Sequence, residues 1–251
     1  MTGAARGIGA ATVHGLVADG WYVVAVDRAE DDPRLPYPLA TRQELESLRS
    51  DRVLPVVADT CDPGALAGAV ALAESTYGGL DAALAVAGVV AGGVPLWEQP
   101  VEQVRAVLDV DLYGVLALAQ ATVPALLRRP APRAGRFLAV TSAAAVRGLP
   151  LLAAYCAAKA GVTGLVRALA VELGPLGVTV NAVSPGSTDT PVLAESARLY
   201  GLGGGQDFAA QQPLGRLLDP AEVAAALCWL ASPASSAVTG AVLPVDGGLA
   251  L

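Results

Sequence analysis

Tyr155 and Lys159 are the two side chains in this sequence whose types and spacing best suit proton transfer. Lys159 is the only lysine beside fifteen arginines, which suggests a task that a wide guanidinium cannot perform. A spacing of four residues places both side chains on one face of a helix. A cation held there stabilises tyrosinate, so we expect the pKa of Tyr155 to fall below its reference value of about 10. Taken alone, the pair also fits a solvated surface lysine near an ordinary tyrosine.

A glycine-rich turn at residues 2–9 begins the chain and leads into a predicted helix. Backbone N–H groups and the helix dipole at such a turn suit a pyrophosphate. Asp27 ends a predicted strand about 20 residues later, the spacing of a dinucleotide site whose carboxylate accepts hydrogen bonds from ribose hydroxyls. A carboxylate repels a 2′-phosphate, so this pattern favours NAD over NADP. Arg28 could soften the preference by offering charge to a phosphate.

The elements that must position these residues alternate along the chain. Strands are predicted at 22–26, 53–58, 82–87, 136–141, 179–183 and 241–245, and helices at 7–19, 63–77, 101–127, 152–173 and 220–231. Continuously apolar strands separated by helices indicate a parallel sheet covered on both faces. The predicted fold class is therefore α/β, a single doubly wound Rossmann-type domain over residues 1–251.

The first strand of that sheet is missing from the pattern. A doubly wound sheet has a central strand that leads into the glycine turn, yet Met1 directly precedes Thr2. We expect a truncated first strand with Met1 at its last position, and a native start that lies upstream.

Composition excludes several classes of function. A hydrophobic content of 54% with 16% charged residues suits a large buried core. The net charge of −7 provides no basic footprint for nucleic acid. Three scattered cysteines and one histidine, His14, lack metal-ligand spacing. No signal peptide or membrane-spanning pattern is evident, so we expect a cytoplasmic protein without metal, nucleic-acid or membrane partners.

Two segments interrupt the alternation of strands and helices. Residues 28–52 contain three prolines followed by an amphipathic stretch, and residues 190–219 contain four glycines between 201 and 205. Three consecutive glycines are incompatible with a stable helix or strand, so the second segment is predicted to be a mobile lid.

The chain resembles the short-chain dehydrogenase/reductase family over nearly its whole length. The family's ordered motifs match at residues 2–9, at Ser142, at Tyr155 and Lys159, at 181–190 and at 245–248. Five motifs in the right order are very specific. The resemblance implies an oxidoreductase that transfers a hydride between NAD and a small apolar or alicyclic alcohol or ketone.

The resemblance also implies a role for each matched residue. Ser142 would hydrogen-bond the substrate oxygen, Tyr155 would transfer its proton, and Lys159 would hold the nicotinamide ribose. Asp59 would meet the adenine and Thr190 the nicotinamide carboxamide. The residues predicted to bind the cofactor are Gly3, Arg6, Gly7, Ile8, Gly9, Asp27, Asp59, Ala87, Gly88, Tyr155, Lys159, Pro185, Gly186, Thr188 and Thr190.

One catalytic position departs from the family pattern. The helix asparagine that commonly completes a proton relay aligns with Asp111. An amide donates and accepts hydrogen bonds, whereas an ionised carboxylate only accepts. If Asp111 is buried, desolvation raises its pKa and it could act as a protonated donor. We expect Asp111 to be catalytic and to alter the reaction.

The segment 37–41, Tyr-Pro-Leu-Ala-Thr, resembles the mycofactocin-coupled subgroup of the family. Members of that subgroup are associated with tightly held NAD that an external redox carrier reoxidises. A proline-rich surface loop is the other interpretation of the segment. The family resemblance further implies a homotetramer, with the predicted helices 101–127 and 152–173 packed between subunits.

Two alternative functions remain at this point. One is a 3-oxoacyl thioester reductase using NADPH, which Arg6 favours and Asp27 opposes. The other is a non-catalytic NAD-binding scaffold or sensor. For the first interpretation, the substrate is expected to lie against the lid, Trp97, Val146, Leu149 and Leu151.

Overall fold

Six parallel strands form the centre of the fold in a computed structural model that describes all residues 1–251. β1 pairs with β2, and β3 to β6 pair in sequence order. Each strand lies within two residues of its predicted bounds, so the predicted α/β fold with a parallel sheet is confirmed. The strands are β1 Val23–Asp27, β2 Val53–Val57, β3 Ala82–Ala85, β4 Gly135–Val140, β5 Val178–Pro185 and β6 Val242–Val245.

Eight α-helices connect the strands, and four of them, α2, α3, α7 and α8, begin with a side-chain cap. Asp62 accepts hydrogen bonds from Gly64 and Ala65 at the start of α3, and Asp219 and Glu222 form a capping box on α8. A five-residue π-helical segment, Asp109–Tyr113, joins α4 to α5. The helices are α1 Gly7–Ala18, α2 Arg42–Glu46, α3 Pro63–Tyr77, α4 Val101–Leu108, α5 Gly114–Arg128, α6 Ala153–Leu173, α7 Pro191–Leu199 and α8 Pro220–Ala231.

Residues Met1 and Thr2 occupy the position of the missing first strand. Thr2 bridges Val26 of β1 and Ala85 of β3, donating its N–H to the Leu84 carbonyl at 3.0 Å. The Met1 carbonyl accepts from the Val26 N–H at 2.8 Å. The short first strand predicted from the sequence is therefore present as a two-residue bridge.

Both faces of the sheet are covered by apolar side chains. On one face Leu138 and Val183 pack beneath α1 and α8, and on the other Phe137 and Ala139 pack beneath α5 and α6. Phe137 and Leu138 are fully buried. Alternate residues of β4 thus serve opposite faces, which fixes the register of the central strand.

Two continuous helical runs, Val101–Arg128 and Ala153–Leu176, are long and apolar enough to cross a membrane by length and composition alone. Half of the most apolar window of the first run and 39% of that of the second are buried within the fold. Core helices pass the same test, so these runs are weak evidence for a membrane. The cytoplasmic location stays a prediction.

The two irregular segments both lie over the carboxyl ends of the strands. Residues 31–40, which we call the strap, pack Leu35 and Tyr37 against Val89, α4 and α6. Residues 190–219 contain α7 and a 3₁₀ helix, Gly205–Gln211. The sequence analysis was therefore wrong to treat all three consecutive glycines as irregular, because Gly205 begins the 3₁₀ helix. A single domain with a mobile lid stays a prediction.

Candidate active site

A cavity of about 660 Å³ opens at the carboxyl ends of the strands. This is the edge where ligands bind in open α/β sheets. Ser142 and every residue predicted to bind the cofactor line this one cavity. Asp111 is the exception, because it is fully buried behind the cavity wall.

The glycine turn leaves room for a pyrophosphate. Gly3 has a φ of +67°, and a side chain there would overlap the backbone of Ala87. A side chain at Gly9 would overlap the carbonyl oxygen of Gly3. The N-cap residue Arg6 makes no capping hydrogen bond, so the N–H groups in the first turn of α1 have no side-chain acceptor. This uncapped helix end fits the phosphates of a dinucleotide.

Asp27 is held at the end of β1 by backbone donors. Its Oδ2 accepts from the Ala5 N–H at 3.0 Å, and its Oδ1 accepts from the Ala29 N–H at 3.1 Å. Asp59 follows β2 and accepts from the Cys61 N–H at 2.8 Å. Both carboxylates line the same end of the cavity, where the sequence predicts the adenosine.

Four predicted cofactor residues line the cavity at and beyond the end of β5, and they are Pro185, Gly186, Thr188 and Thr190. The Thr190 hydroxyl caps α7 by accepting from the Leu193 N–H at 3.3 Å, and it donates to the Thr188 carbonyl at 3.2 Å. Its methyl group lies 3.2 Å from the position of a Cβ on Gly7. Thr190 therefore closes the cavity across from the glycine turn while it begins the lid.

Tyr155 and Lys159 lie on one face of α6, as their spacing predicts. The Lys159 Nζ is 5.5 Å from the centre of the Tyr155 ring and donates to the Val140 carbonyl at 3.4 Å. Ser142 follows β4, and its Oγ accepts from the Ala144 N–H at 3.1 Å. The end of β4 and the first two turns of α6 thus bring a hydroxyl, a phenol and an ammonium group to one wall.

Asp111 lies behind this wall in the π-helical segment. Its Oδ1 accepts from the Val89 N–H at 2.8 Å. Its Oδ2 is buried without a hydrogen-bond partner and lies 3.6 Å from the Lys159 Nζ. Burial raises the pKa of Asp111 to about 6, although the Lys159 charge and the Val89 N–H oppose that change. At neutral pH Asp111 is therefore mainly an ionised partner of Lys159.

The predicted net fall in the pKa of Tyr155 is wrong for the protein without nucleotide. Burial raises the pKa of Tyr155, and the Asp111 charge acts in the same direction, while Lys159 and the Ser142 hydroxyl oppose them. Burial also acts to lower the pKa of Lys159, but the charges of Asp111 and Tyr155 together outweigh it and raise that pKa. Lys159 acts to lower the pKa of Tyr155, as predicted, but burial and the Asp111 charge together outweigh it.

Comparison with known proteins decides the family. A family profile described as enoyl-(acyl carrier protein) reductase matches residues 3–250. The chain is 39% identical over 250 residues to cis-4-hydroxycyclohexanecarboxylate dehydrogenase of Sinomonas cyclohexanicum, covering 99% of this chain and 94% of the relative. The chain belongs to the short-chain dehydrogenase/reductase family.

Solved structures of this short-chain dehydrogenase/reductase family agree with that assignment. Carveol dehydrogenase from Mycobacterium avium, in complex with NAD, gives a TM-score of 0.92 at 33% identity, covering 99% of this chain and 95% of that one. The 3-ketoacyl-(acyl-carrier-protein) reductase from Brucella melitensis, complexed with NADH, gives 0.87 at 30% identity, covering 100% and 96%. The chain is an NAD-dependent oxidoreductase acting on CH–OH groups, so the predicted enzyme class and cofactor are confirmed.

The substrate end of this short-chain dehydrogenase/reductase differs from the sequence prediction. Leu149 lines the cavity, but Trp97, Val146 and Leu151 do not. Trp97 is 85% exposed and Val146 is 74% exposed. The lid lines the cavity as predicted, through Val192, Leu193, Ser196, Tyr200, Leu202, Phe208 and Gln211. The other lining residues at this end, Arg147, Pro150, Leu152 and Leu249, were not predicted. All four lie outside helices and strands, where no regular spacing marks them.

Proposed function

We propose that the enzyme oxidises a small alicyclic secondary alcohol to its ketone, with NAD as the hydride acceptor. The observation that carries this proposal is the polar wall of Ser142, Tyr155 and Lys159 facing an otherwise largely apolar chamber. An alcohol oxygen at that wall could accept a hydrogen bond from the Ser142 hydroxyl and give its proton to Tyr155. The relatives named for alicyclic alcohols support the same substrate class.

The protein residues would divide the work of proton transfer. Ser142 donates a hydrogen bond that fixes the substrate oxygen, and Tyr155 accepts the hydroxyl proton. Lys159 stabilises the tyrosinate form through its charge. Asp111 positions Lys159 from behind, since its Oδ2 lies 3.6 Å from Nζ in the buried wall. NAD supplies only the hydride acceptor, and the glycine turn and Asp27 orient it.

The lining of the chamber suits a ring. Leu149, Leu152, Val192, Leu202 and Phe208 all contribute to the same wall. Tyr200 fixes the lid over this chamber, because its hydroxyl donates to the Pro150 carbonyl at 2.6 Å and its ring contacts Phe208 edge-on. An alicyclic ring would fill such a chamber through apolar contact.

The position of Arg147 suggests that the proposed substrate also carries a carboxylate. Arg147 lines the cavity beside Gly148 and Leu149, and it forms no ion pair within the chain. Its Nη1 donates to the Leu249 carbonyl at 2.8 Å, which leaves the other guanidinium donors available. A hydroxycycloalkane carboxylate would place its anion there and its hydroxyl at Tyr155.

The test is initial-rate oxidation with NAD of 4-hydroxycyclohexanecarboxylate, 4-methylcyclohexanol and a linear secondary alcohol. We expect the two ring alcohols to be oxidised, the carboxylate faster, and Tyr155→Phe to lose most activity. Arg147→Gln should raise KM for the carboxylate about tenfold and leave 4-methylcyclohexanol within twofold. Turnover confined to 3-oxoacyl thioesters with NADPH would contradict the proposal in favour of the thioester reductase.

We also propose that the strap retains NAD, as the mycofactocin resemblance implies. The strap covers the cavity wall near the glycine turn, with Arg6 donating to the Pro38 carbonyl at 3.2 Å. Leu39 and Ala40 line the cavity beside it. Heat denaturation of purified protein should release close to one NAD per chain, and an external redox carrier would then be needed for turnover. Protein that purifies without nucleotide and exchanges NAD freely would contradict this.

A further inference from the structure

Five charged side chains form a network where β1 meets the strap. The Arg28 Nη1 lies 2.8 Å from the Asp32 Oδ2 and 3.6 Å from the Asp59 Oδ2. Arg34 binds the same Asp32 carboxylate through Nε at 3.0 Å and Nη2 at 2.8 Å. The Arg34 Nη1 reaches the Asp109 Oδ2 at 2.6 Å. The strap is thereby anchored to the π-helical segment after α4.

Asp32 is the centre of this network. It is 2% exposed, although both of its neighbours in sequence, Asp31 and Pro33, are exposed. The hydrogen bonds from Arg34 lower the pKa of Asp32 to about 2, so its carboxylate stays ionised at neutral pH. Asp32 also lines the nucleotide end of the cavity. Solvation at the surface does not explain why an ionised carboxylate is buried here and paired with two arginines.

Arg28 is turned away from Asp27, its neighbour in sequence. Asp27 is held by the Ala5 and Ala29 N–H groups, whereas Arg28 pairs with Asp32. Ala29 makes this possible with a φ of 52°, a left-handed conformation that bends the chain after β1. The bend brings Asp32 back onto the Arg28 guanidinium.

The charge balance at this end bears directly on cofactor choice. NADP differs from NAD by a 2′-phosphate on the adenosine ribose, and a phosphate requires a cation with free donors. The cations lining this end are Arg6 and Arg28, and they face the carboxylates of Asp27, Asp32 and Asp59. Arg28 is already paired, and Arg6 donates to the strap.

We propose that Asp32 is a second determinant of NAD selectivity, acting by occupying the Arg28 guanidinium and so denying it to a 2′-phosphate. The proposal rests on the assignment of this end of the cavity to the adenosine ribose under the proposed function. Asp27 excludes the phosphate by direct repulsion, and Asp32 excludes it by removing the available cation. Repulsion by Asp27 and occupation of Arg28 by Asp32 would together keep the site selective for NAD, although an arginine directly follows Asp27 in the sequence.

The experiment separates the two barriers with nested variants. Asp27→Ser removes the direct repulsion, Asp27→Ser/Asp32→Asn also removes the charge of the carboxylate that lies nearer to Arg28, at 2.8 Å against 3.6 Å for Asp59, and a triple variant adds Arg28→Met. Asn keeps the shape of Asp32 and its acceptor oxygen but not its charge. We expect kcat/KM with NADPH to rise at least tenfold from the single to the double variant and to fall back in the triple variant. For protein that retains nucleotide, the NADP-to-NAD ratio released on denaturation should follow the same order.

Two outcomes would overturn the inference. One is a full switch to NADPH in Asp27→Ser alone, and the other is a gain in the double variant that Arg28→Met does not remove. If the double variant does not fold, Arg28→Met by itself decides the matter. A clamped Arg28 predicts less than a threefold change in NADPH use, whereas a large loss shows that Arg28 already serves the phosphate. Loss of NAD-dependent turnover on every alcohol in the wild-type protein would instead contradict the proposed function.

Discussion

Lys159 is held in a space that suits an ammonium group and nothing wider. Its side chain is 4% exposed, between Asp111 and the Val140 carbonyl. The position of a Cβ on Gly88 lies only 3.3 Å from Nζ. A planar guanidinium at this site would be displaced from Tyr155 even though it keeps the charge.

We therefore expect Lys159→Arg to lower kcat/KM for alcohol oxidation by about 10²- to 10⁴-fold, the usual contribution of acid–base catalysis. Lys159→Met is the matched control, because it removes the charge at similar volume. Steady-state rates with NAD measure both variants, and thermal unfolding checks that both fold. Near-normal activity of Lys159→Arg would mean that charge alone is sufficient.

Asp111 gives the site a pH dependence that an asparagine would not. Its negative charge raises the pKa of Tyr155, against the effect of Lys159. Asp111→Asn should consequently shift the rising limb of the pH–rate profile for oxidation to lower pH, since tyrosinate forms more readily. The measurement is kcat/KM between pH 5 and 10, and an unchanged profile would exclude a role for Asp111 in the proton relay.

The free energy of unfolding should also depend on pH through Asp111, and the direction of that dependence can be derived. The pKa of Asp111 is raised from 3.8 to about 6 in the folded protein, so the folded state holds its proton after the unfolded chain has lost it. Wild-type stability should therefore fall relative to Asp111→Asn as pH rises from about 4 to about 6, by on the order of 3 kcal/mol. Denaturant unfolding of both proteins across that range measures the difference.

At the scale of elements, one hydrogen bond ties the strap to the segment that follows β3. The Tyr37 hydroxyl accepts from the Val90 N–H at 2.9 Å, and Val90 is 1% exposed. Burial raises the pKa of the Tyr37 hydroxyl, which therefore stays neutral and in place. Removing it would leave a buried donor without a partner, at a cost of about 1–3 kcal/mol.

Tyr37→Phe should accordingly loosen the strap and speed the release of NAD. The expected result is at least a fivefold faster exchange of bound nucleotide for labelled NAD, with the catalytic residues unchanged. Tyr113→Phe is a suitable control, since Tyr113 is 43% exposed. Equal exchange rates in the wild type and Tyr37→Phe would show that the strap does not retain the cofactor.

The sequence predicted those parts of the site that depend on local spacing. The spacing along β1, α1 and α6 places Asp27 at a strand end, Gly9 in the first turn of a helix and Lys159 one turn after Tyr155. The substrate wall could not be predicted, because Leu149 enters the cavity and Val146 does not for reasons of loop geometry. The pairing of Arg28 with Asp32 was likewise hidden, since it depends on the positive φ of Ala29 rather than on a helical period.

At the scale of the whole molecule, α5 and α6 expose a face that suits a second copy of the chain. Leu116 is 37% and Val171 79% exposed. Small residues on α6, including Ala157 and Ala160, are exposed along the same helix. Small side chains allow close helix packing, so the predicted homotetramer would bury this face. The homotetramer stays a prediction.

Ala160→Arg should reduce the mass measured by light scattering from that of a tetramer to that of a smaller species. Ala71→Arg on α3 is the matched control, because Ala71 is exposed on a different helix. A monomeric wild-type protein, or a tetramer that tolerates Ala160→Arg, would show that this face is not the interface.

The bridge at Thr2 gives the cofactor a mechanical role as well as a chemical one. β1 and β2 carry Asp27 and Asp59 on one sheet piece, while the other piece carries Ser142 after β4. A nucleotide held by both sets of residues would contact both halves of the sheet. Saturation at a hundred times Kd stabilises a folded protein by about 2.7 kcal/mol. We expect calorimetry to show unfolding at a higher temperature with saturating NAD than without it, because the nucleotide binds the folded protein only.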